Sequence, residues 1–401
     1  MIRSVVASIL LLTTAAVAGA QQSGTWLSCV SARPDVSIQG CGSIIEKNTE
    51  TPANLGIAHN NRGNAYAKSG KPEQALRDHG NAIKLNPTLA AAYYNRGKVY
   101  SQTGKFDRAI ADFNAALELT PDDPNIYLSR GNSLADDARL DDAIRDYDRA
   151  ISINPALSAA WFNRGIAQTD KGRYDLAIAD FNEVIKLDSG DSRAYDARAN
   201  AYFRKRLLEK AFADVNRAIE LAPEFAGAYA SRCAFRVGRE QFEQAAADCD
   251  TAIRLQPRLA KGFHVRGSLY AENGQSDRAL DDFATAIKLD PDDAQIYAKR
   301  GRMHYRDGKP DKALADLNRS IELNPMNADT YNSRGIIFAK RGKVDLALSD
   351  FERRYELGGA SVVQNVQSYL WDKGHYKGKL TGIYDTSMRE AVRACIVDPD
   401  C

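Results

Sequence analysis

The chain has 401 residues, 44% hydrophobic and 26% charged, enough apolar side chain to bury a core and too little charge for a disordered polyelectrolyte. Lysine and arginine total 54 against 52 aspartate and glutamate, a formal +2 without a basic stripe or tail, which argues against electrostatic capture of nucleic acid. Five histidines and six cysteines, scattered along the chain, leave little with which to build a metal or catalytic centre.

The N-terminus reads as an address. Arg3 is followed by an apolar run from Val5 to Val17 and then by Ala18-Gly19-Ala20, the parts of a secretory signal peptide. Residues 1–20 are therefore expected to be removed near Ala20, leaving a bacterial chain that is periplasmic or secreted. A bilayer span takes about 20 apolar residues, more than this run or any later one supplies, so no stable membrane span is expected. Cys29 stands too far beyond the run for a lipid-attachment cysteine. In an oxidising compartment the six cysteines read as three local disulfides, Cys29 with Cys41, Cys233 with Cys249 and Cys395 with Cys401. The alternative, a structural zinc site, lacks C-x-x-C or H-x-x-x-H spacing. No metal or cofactor is expected.

From residue 56 onward the chain repeats itself every 34 residues. Arginine recurs in one register from Arg62 through Arg96 and Arg130 to Arg334, and aspartate from Asp78 through Asp112 and Asp146 to Asp350, nine times each. Alanine recurs likewise from Ala75 to Ala347, glycine follows the arginine in seven of nine copies, and proline falls at Pro87, Pro121, Pro155 and onward. Within a copy the apolar residues follow helical spacing, as in Phe106, Ala109, Ile110, Phe113, Ala116 and Leu117. Asn86-Pro87 ends one helix, since proline cannot continue it, and Gly104-Lys105 supplies the turn inside the copy. Gly97 in mid-helix implies a close backbone approach, with Ala109 as the expected partner and Tyr93, Tyr100 and Phe113 filling the space beside it. One helix pair cannot hide its own apolar face, so neighbouring copies must stack.

Counting Gly56 as position 1, the copies carry an aromatic at position 4, small residues at 8 and 20, an aromatic at 24, alanine at 27 and proline at 32. This pattern resembles the tetratricopeptide repeat through all nine copies, residues 56–359. The resemblance implies an all-α fold: an α-solenoid of nine helix-turn-helix repeats wound as a right-handed superhelix. Position 7 is arginine where the family has leucine. The fifth and sixth copies depart most, with Arg206 and Glu240 in place of the turn glycine and Val215 and Cys249 in place of the aromatic. The Arg and Asp at positions 7 and 23 read as a packing ladder rather than a binding track, because a guanidinium can fork onto a carboxylate across the helix pair. Cys233 and Cys249 occupy positions 8 and 24, where a bridge would replace the usual contact between small residue and ring.

The resemblance also implies a concave surface built from positions 2, 5, 6, 9, 12 and 13 of the first helices, and here these vary between copies. Asn64 with Asn95, and Asn132 with Asn163, resemble the pairs that hold an extended peptide backbone in chaperone-binding relatives. The lysine that those relatives carry at position 5 is absent, which argues against a clamp for a C-terminal carboxylate. Tyr94, Lys98, Phe162, Asn200, Lys261, His264, Arg302, Tyr305 and Arg306 complete the expected partner-binding groove. Solvation of the concave face alone is the competing reading.

Both ends leave the register. Residues 21–55 are expected to form a disulfide-tied cap, with a helix from Asp35 through Ile45 that turns Ile38, Cys41 and Ile45 inward beside Trp26. In residues 360–401, the series Gln367, Leu370, Gly374, Tyr376, Gly378, Gly382, Tyr384 and Ala391-Val392-Arg393 resembles the small three-helix peptidoglycan-binding module, which implies peptidoglycan as a second partner. A plain capping helix with a tail is the alternative. His59, His79 and His304 stand at positions where rings pack, and no H-E-x-x-H, G-x-S-x-G, G-x-G-x-x-G or phosphate-loop sequence occurs. Taken together, the residues point to a non-enzymatic exported scaffold that binds proteins or peptides. The rivals are a wall-binding protein whose array is a spacer and an accessory subunit of a periplasmic glycan enzyme.

Overall fold

The computed structural model describes residues 24–398, 400 and 401. The expected signal peptide, residues 1–20, lies outside them. Twenty-one α-helices and no strand occur among the described residues. The chain divides into two units at Lys205–Arg206.

In the first unit a short helix, Gly24–Cys29, and the helix Pro34–Lys47 precede four complete hairpins and the first helix of a fifth copy. The hairpins start with Pro52–Lys68 and Pro72–Leu85 and continue through Ala90–Gln102 and Phe106–Leu119. Each first helix ends in a residue with left-handed backbone at position 15: Gly70, Gly104 and Gly172, but also Ala138 at φ 60°. Each second helix ends where the backbone leaves helical values, as at Asn86 (φ −141°, ψ 86°) before Pro87 and Thr120 (φ −140°, ψ 77°) before Pro121, because the proline ring disfavours the helical conformation of the residue before it. Asp188 adopts extended backbone before Ser189, and its side chain accepts from Gly190 N at 2.9 Å where proline is missing. The opening helices bury Trp26, Cys29, Cys41 and Ile44 against Leu55 and Ala58, and Trp26 Nε1 donates to Glu50 at 3.1 Å. Ser37, Gly40, Cys41 and Ile44 form the buried face of Pro34–Lys47; Ile38 and Ile45 stand half-buried beside it.

The second unit repeats the scheme from Leu208–Leu221 onward, with position 15 occupied by Arg206, Glu240, Gly274, Gly308 and Gly342, all left-handed. The last repeat helix belongs to a longer one, Val344–Asp372, broken at Gly359 (φ 69°). After the break the helix continues to Asp372 and is followed by a loop and the helix Thr386–Val397, whose N-terminus Asp385 caps by accepting from Met388 N at 2.8 Å. One core runs through Leu348, Tyr355, Val363, Leu370, Tyr376, Met388 and Val392, shared by the final repeat helix and the C-terminal segment. Buried Gln367 braces the loop: its Oε1 accepts from Gly382 N at 2.9 Å, and its Nε2 donates to the Ile383 carbonyl at 3.0 Å. A Cβ on Gly382 would meet the Ala360 carbonyl at 2.7 Å, which explains the glycine. The three cysteine pairs are bonded as the spacing suggests.

Two repeated contacts hold the hairpins. Every position-20 alanine from Ala75 to Ala347 is fully buried. The position-8 glycine lies under the position-24 ring: a Cβ on Gly97 would stand 2.9 Å from Phe113, with the Ala109 carbonyl next at 3.2 Å. The ring, more than Ala109, therefore demands the glycine. The second contact is the ladder. In copies one to four and six to nine the arginine forks Nε and Nη2 onto its buried aspartate at 2.6–3.1 Å, as in Arg130–Asp146 and Arg300–Asp316. Five of these position-7 arginines, and Arg198 of the fifth copy, also donate Nη1 to position 25 of the preceding copy at 2.5–2.9 Å, through Asn114, Asp148, Asn216, Asp250, Asn318 and, for Arg198, Asn182. Each guanidinium that makes both contacts ties three helices and two copies, which makes it a packing device.

Candidate partner-binding site

In the first unit the variable positions of the first helices carry amides and rings. Asn163 donates Nδ2 to Asn132 Oδ1 at 2.8 Å, bringing together one of the two expected asparagine pairs. The Tyr147 hydroxyl donates to the same oxygen at 2.9 Å, so that carbonyl is saturated and what remains to offer a ligand is N–H. The other expected pair does not form. Asn95 donates to Asn60 at 3.1 Å, while Asn64 stands half-buried one turn further along. The difference follows from position 5, where Asn60 presents an acceptor in the first copy and Leu128 presents none in the third.

Tyr94 and Phe162 occupy that same position 5. Tyr94 lies tilted on Phe113 with ring centres 5.9 Å apart, bonds Ser129 through its hydroxyl at 3.2 Å, and carries the Lys98 ammonium 5.5 Å from its ring centre. Burial raises its hydroxyl pKa. Phe162 leans on Phe181 at 5.8 Å, with the Arg193 guanidinium 5.6 Å above it. These are cation–π distances. Asn200 turns back to the Asp196 carbonyl at 2.7 Å. Two carboxylates at position 13, Asp136 and Asp170, have pKa values raised by burial, the second opposed by Arg204.

In the second unit, copies seven and eight carry basic side chains at groove positions. Lys261 Nζ donates to Ser231 Oγ at 2.8 Å, and Lys299 Nζ to Ser268 Oγ at 2.7 Å. His264 lies near these ammonium groups, edge-on to Phe283, with Nδ1 3.7 Å from Asp293. Burial, reinforced by Lys299 and Lys261, pushes its pKa down to about 3, so the ring is neutral at ordinary pH. Arg306 donates to the Ala271 carbonyl at 3.2 Å. Between the first helices of copies seven and eight, Ala260–Glu272 and Ala294–Arg306, lies a pocket of about 200 Å³. Lys299, Arg302 and Arg306 line it, with Ser268, Glu272 and Phe283. Tyr305 packs instead against Ala313, Leu317 and Ile337. Lys299 and Ser268 are additions to the expected groove. Both stand at groove positions, 6 and 9, and reading every copy at those positions would have found them.

Three of the remaining histidines are packed within hairpins, and His375, in the C-terminal loop, bonds Asp398 at 2.8 Å. His59 bonds Asp78 at 2.8 Å, His79 fills the ring position against Gly63, and His304 lies 3.9 Å from Asp316. No group of three or more His, Cys, Asp or Glu is placed to hold a metal ion among the described residues, and no described helix is long and apolar enough to cross a membrane.

Stacked hairpins of constant length, with an invariant packing face and a variable first-helix face, define an α-helical repeat protein of the solenoid class. Tetratricopeptide-repeat models match residues 63–104, 90–123, 128–192, 170–226, 264–324 and 299–361, more than half of the chain together. The chain belongs to the tetratricopeptide-repeat family. Among solved structures it is similar to a tetratricopeptide repeat protein from Parabacteroides merdae ATCC 43184 (TM-score 0.56, 18% identity, covering 65% of this chain and 98% of that one). It is also similar to YrrB, a tetratricopeptide-repeat protein with an unusual peptide-binding site (TM-score 0.41, 24% identity, covering 49% and 98%). A third is PilF of Pseudomonas aeruginosa (TM-score 0.46, 17% identity, covering 55% and 100%). At these identities the likeness speaks for the fold alone. No curated protein matches the chain.

Proposed function

We propose that the protein is an exported, non-enzymatic scaffold that binds extended segments of protein partners on the variable face of its first helices, and that residues 360–401 tether it to peptidoglycan. The observation that carries the binding reading is a division of labour among positions. Positions 7, 20 and 23 are constant and consumed in packing, whereas positions 5, 6 and 9 change from copy to copy and present amide N–H groups, rings and cations. Amides at regular intervals suit a peptide main chain, and rings and cations between them suit its side chains. Export is supported by the apolar run from Val5 to Val17 and by three cysteine pairs that all lie within bonding reach. The tether is supported by the loop that Gln367 braces, which carries the glycines and tyrosines of the peptidoglycan-module pattern.

Cross-linking in an exported extract, followed by mass spectrometry, tests the binding reading. Cross-links from first-helix positions to partner proteins are expected, and cross-links confined to the outer surfaces of the second helices would refute it. Sedimentation with purified peptidoglycan tests the tether, since the full chain should pellet with the sacculi. Cell fractionation tests export.

A further inference from the structure

The pocket between copies seven and eight is lined by more basic than acidic side chains. Lys299, Arg302 and Arg306 line it against one carboxylate, Glu272. Arg306 donates one nitrogen to the Ala271 carbonyl and to the Met303 sulfur. Arg302 forms no ion pair with any described residue; its side chain reaches the surface at the pocket mouth, where desolvation of its inner part lowers its guanidinium's pKa and Asp329 opposes this. A guanidinium in a half-enclosed pocket without a counter-ion is held at an electrostatic disadvantage that an entering anion relieves, through charge-assisted hydrogen bonds to its fork of donors. Phe283 closes the pocket with an apolar face, suited to methylene groups. About 200 Å³ admits one side chain and not a folded surface.

We propose that this pocket takes the side-chain carboxylate of an aspartate or glutamate in an extended segment of a partner protein. The inference rests on the peptide-binding reading above and names the chemistry that one subsite would select. A main-chain terminus would need amide donors to fix the last peptide units. Positions 5, 6 and 9 of these two copies hold His264, Val265, Ser268, Ala298, Lys299 and Arg302, without the paired asparagines of the first unit. Glu272 in the wall opposes a dianion more strongly than a single carboxylate.

The test is fluorescence anisotropy with the full chain and three amide-capped, extended peptides: one alternating glutamate with small residues, one neutral and one lysine-rich. The acidic peptide should bind most tightly and lose affinity as salt rises. Arg302→Ala should weaken it about tenfold, the size of one lost charge-assisted contact, with Arg302→Lys in between. Glu272→Gln should tighten it. Arg302→Ala removes no ion pair, and circular dichroism checks that the fold is kept. Unchanged affinity in Arg302→Ala and Glu272→Gln overturns the proposal. So does stronger competition by inorganic phosphate, or by a non-acidic peptide with a free C-terminus, than by the acidic peptide. Binding of the neutral or basic peptide without the acidic one overturns the pocket assignment and leaves the peptide-binding reading standing. Binding of none of the three removes both.

Discussion

His79 lies so close to Gly63 that a Cβ on the glycine would stand 2.7 Å from the ring. Phe113 takes the same place against Gly97, so the histidine is an aromatic knob by shape. It differs in carrying two buried ring nitrogens that find no hydrogen-bond partner among the described residues, a desolvation cost that a phenyl ring does not have.

That cost makes the first copy acid-sensitive. Burial brings the His79 pKa down from 6.5 to about 4, with Asp78 opposing and Arg96 adding to the shift. Between these values the unfolded chain binds a proton that the folded chain refuses. The contribution is therefore intact above pH 6.5 and lost as pH falls toward 4, by up to roughly 3 kcal/mol. His79→Phe should be more stable than the parent, and the gain should be larger at pH 5 than at pH 8. Hydrogen exchange of amides in residues 52–85 at the two pH values reads this locally; an equal gain at both would show that protonation of His79 is not the cause.

The ladder makes a second prediction. Arg130 holds buried Asp146 by two hydrogen bonds and reaches Asn114 of the preceding copy with a third. Arg130→Met would strand the carboxylate, at a cost of about 3 kcal/mol. The further change Asp146→Leu should recover much of the loss, because the pair is worth less than the penalty of breaking one side of it. In a stacked array the damage should centre on copies two and three, which hydrogen exchange over residues 90–153 would resolve. A double variant no more stable than Arg130→Met would contradict this account.

Most of the architecture could be read from the sequence because packing demands repeat. Ala75 to Ala347 and Arg62 to Arg334 recur since each copy buries the same contact, and the helix stops follow from Asn86-Pro87 and its equivalents. The site was harder to read. Whether Asn95 finds Asn64 or Asn60 depends on a neighbour one copy away, and no periodicity reports it. The second reach of the arginines has a signal in the sequence, Asn114, Asp148, Asn182, Asn216, Asp250 and Asn318 at one register position, but a polar residue on a helix surface does not by itself point to a partner in the next copy. The left-handed backbone of Ala138 has no sequence signal, since alanine in a helix-rich segment does not mark such a turn.

Ala138 and Glu240 sit at φ 60°, where six other copies have glycine. A non-glycine residue there costs about 1–2 kcal/mol through its Cβ, partly offset by glycine's larger entropy loss on folding. Ala138→Gly and Glu240→Gly should each stabilise by roughly 0.5–1 kcal/mol. Both side chains are exposed, so no packing is lost. Urea denaturation of each single variant checks the sign, and a loss of stability in both would mean that the turn is not what strains these copies.

Cys233 and Cys249 stand at positions 8 and 24, bonded, with Cα atoms 5.5 Å apart, where other copies set a glycine under a ring. The bridge and the ring are alternative solutions for one space. Closing a loop of this size contributes about 3 kcal/mol in the chain-entropy model, so reduction should loosen the sixth copy and leave the other copies largely unaffected. Cys249→Phe alone loses the bridge and drives a ring against the Cβ of Cys233, adding an overpacking cost of about 1–3 kcal/mol. Cys233→Gly combined with Cys249→Phe rebuilds the arrangement of Gly97 and Phe113 and should recover that second cost while removing the sixth copy's share of the response to reductant, which still reaches the Cys29–Cys41 and Cys395–Cys401 bridges. Thermal melts of the parent and both variants, with and without dithiothreitol, decide the matter. A double variant that melts no higher than Cys249→Phe would show that the sixth copy has no room for the ring its neighbours use.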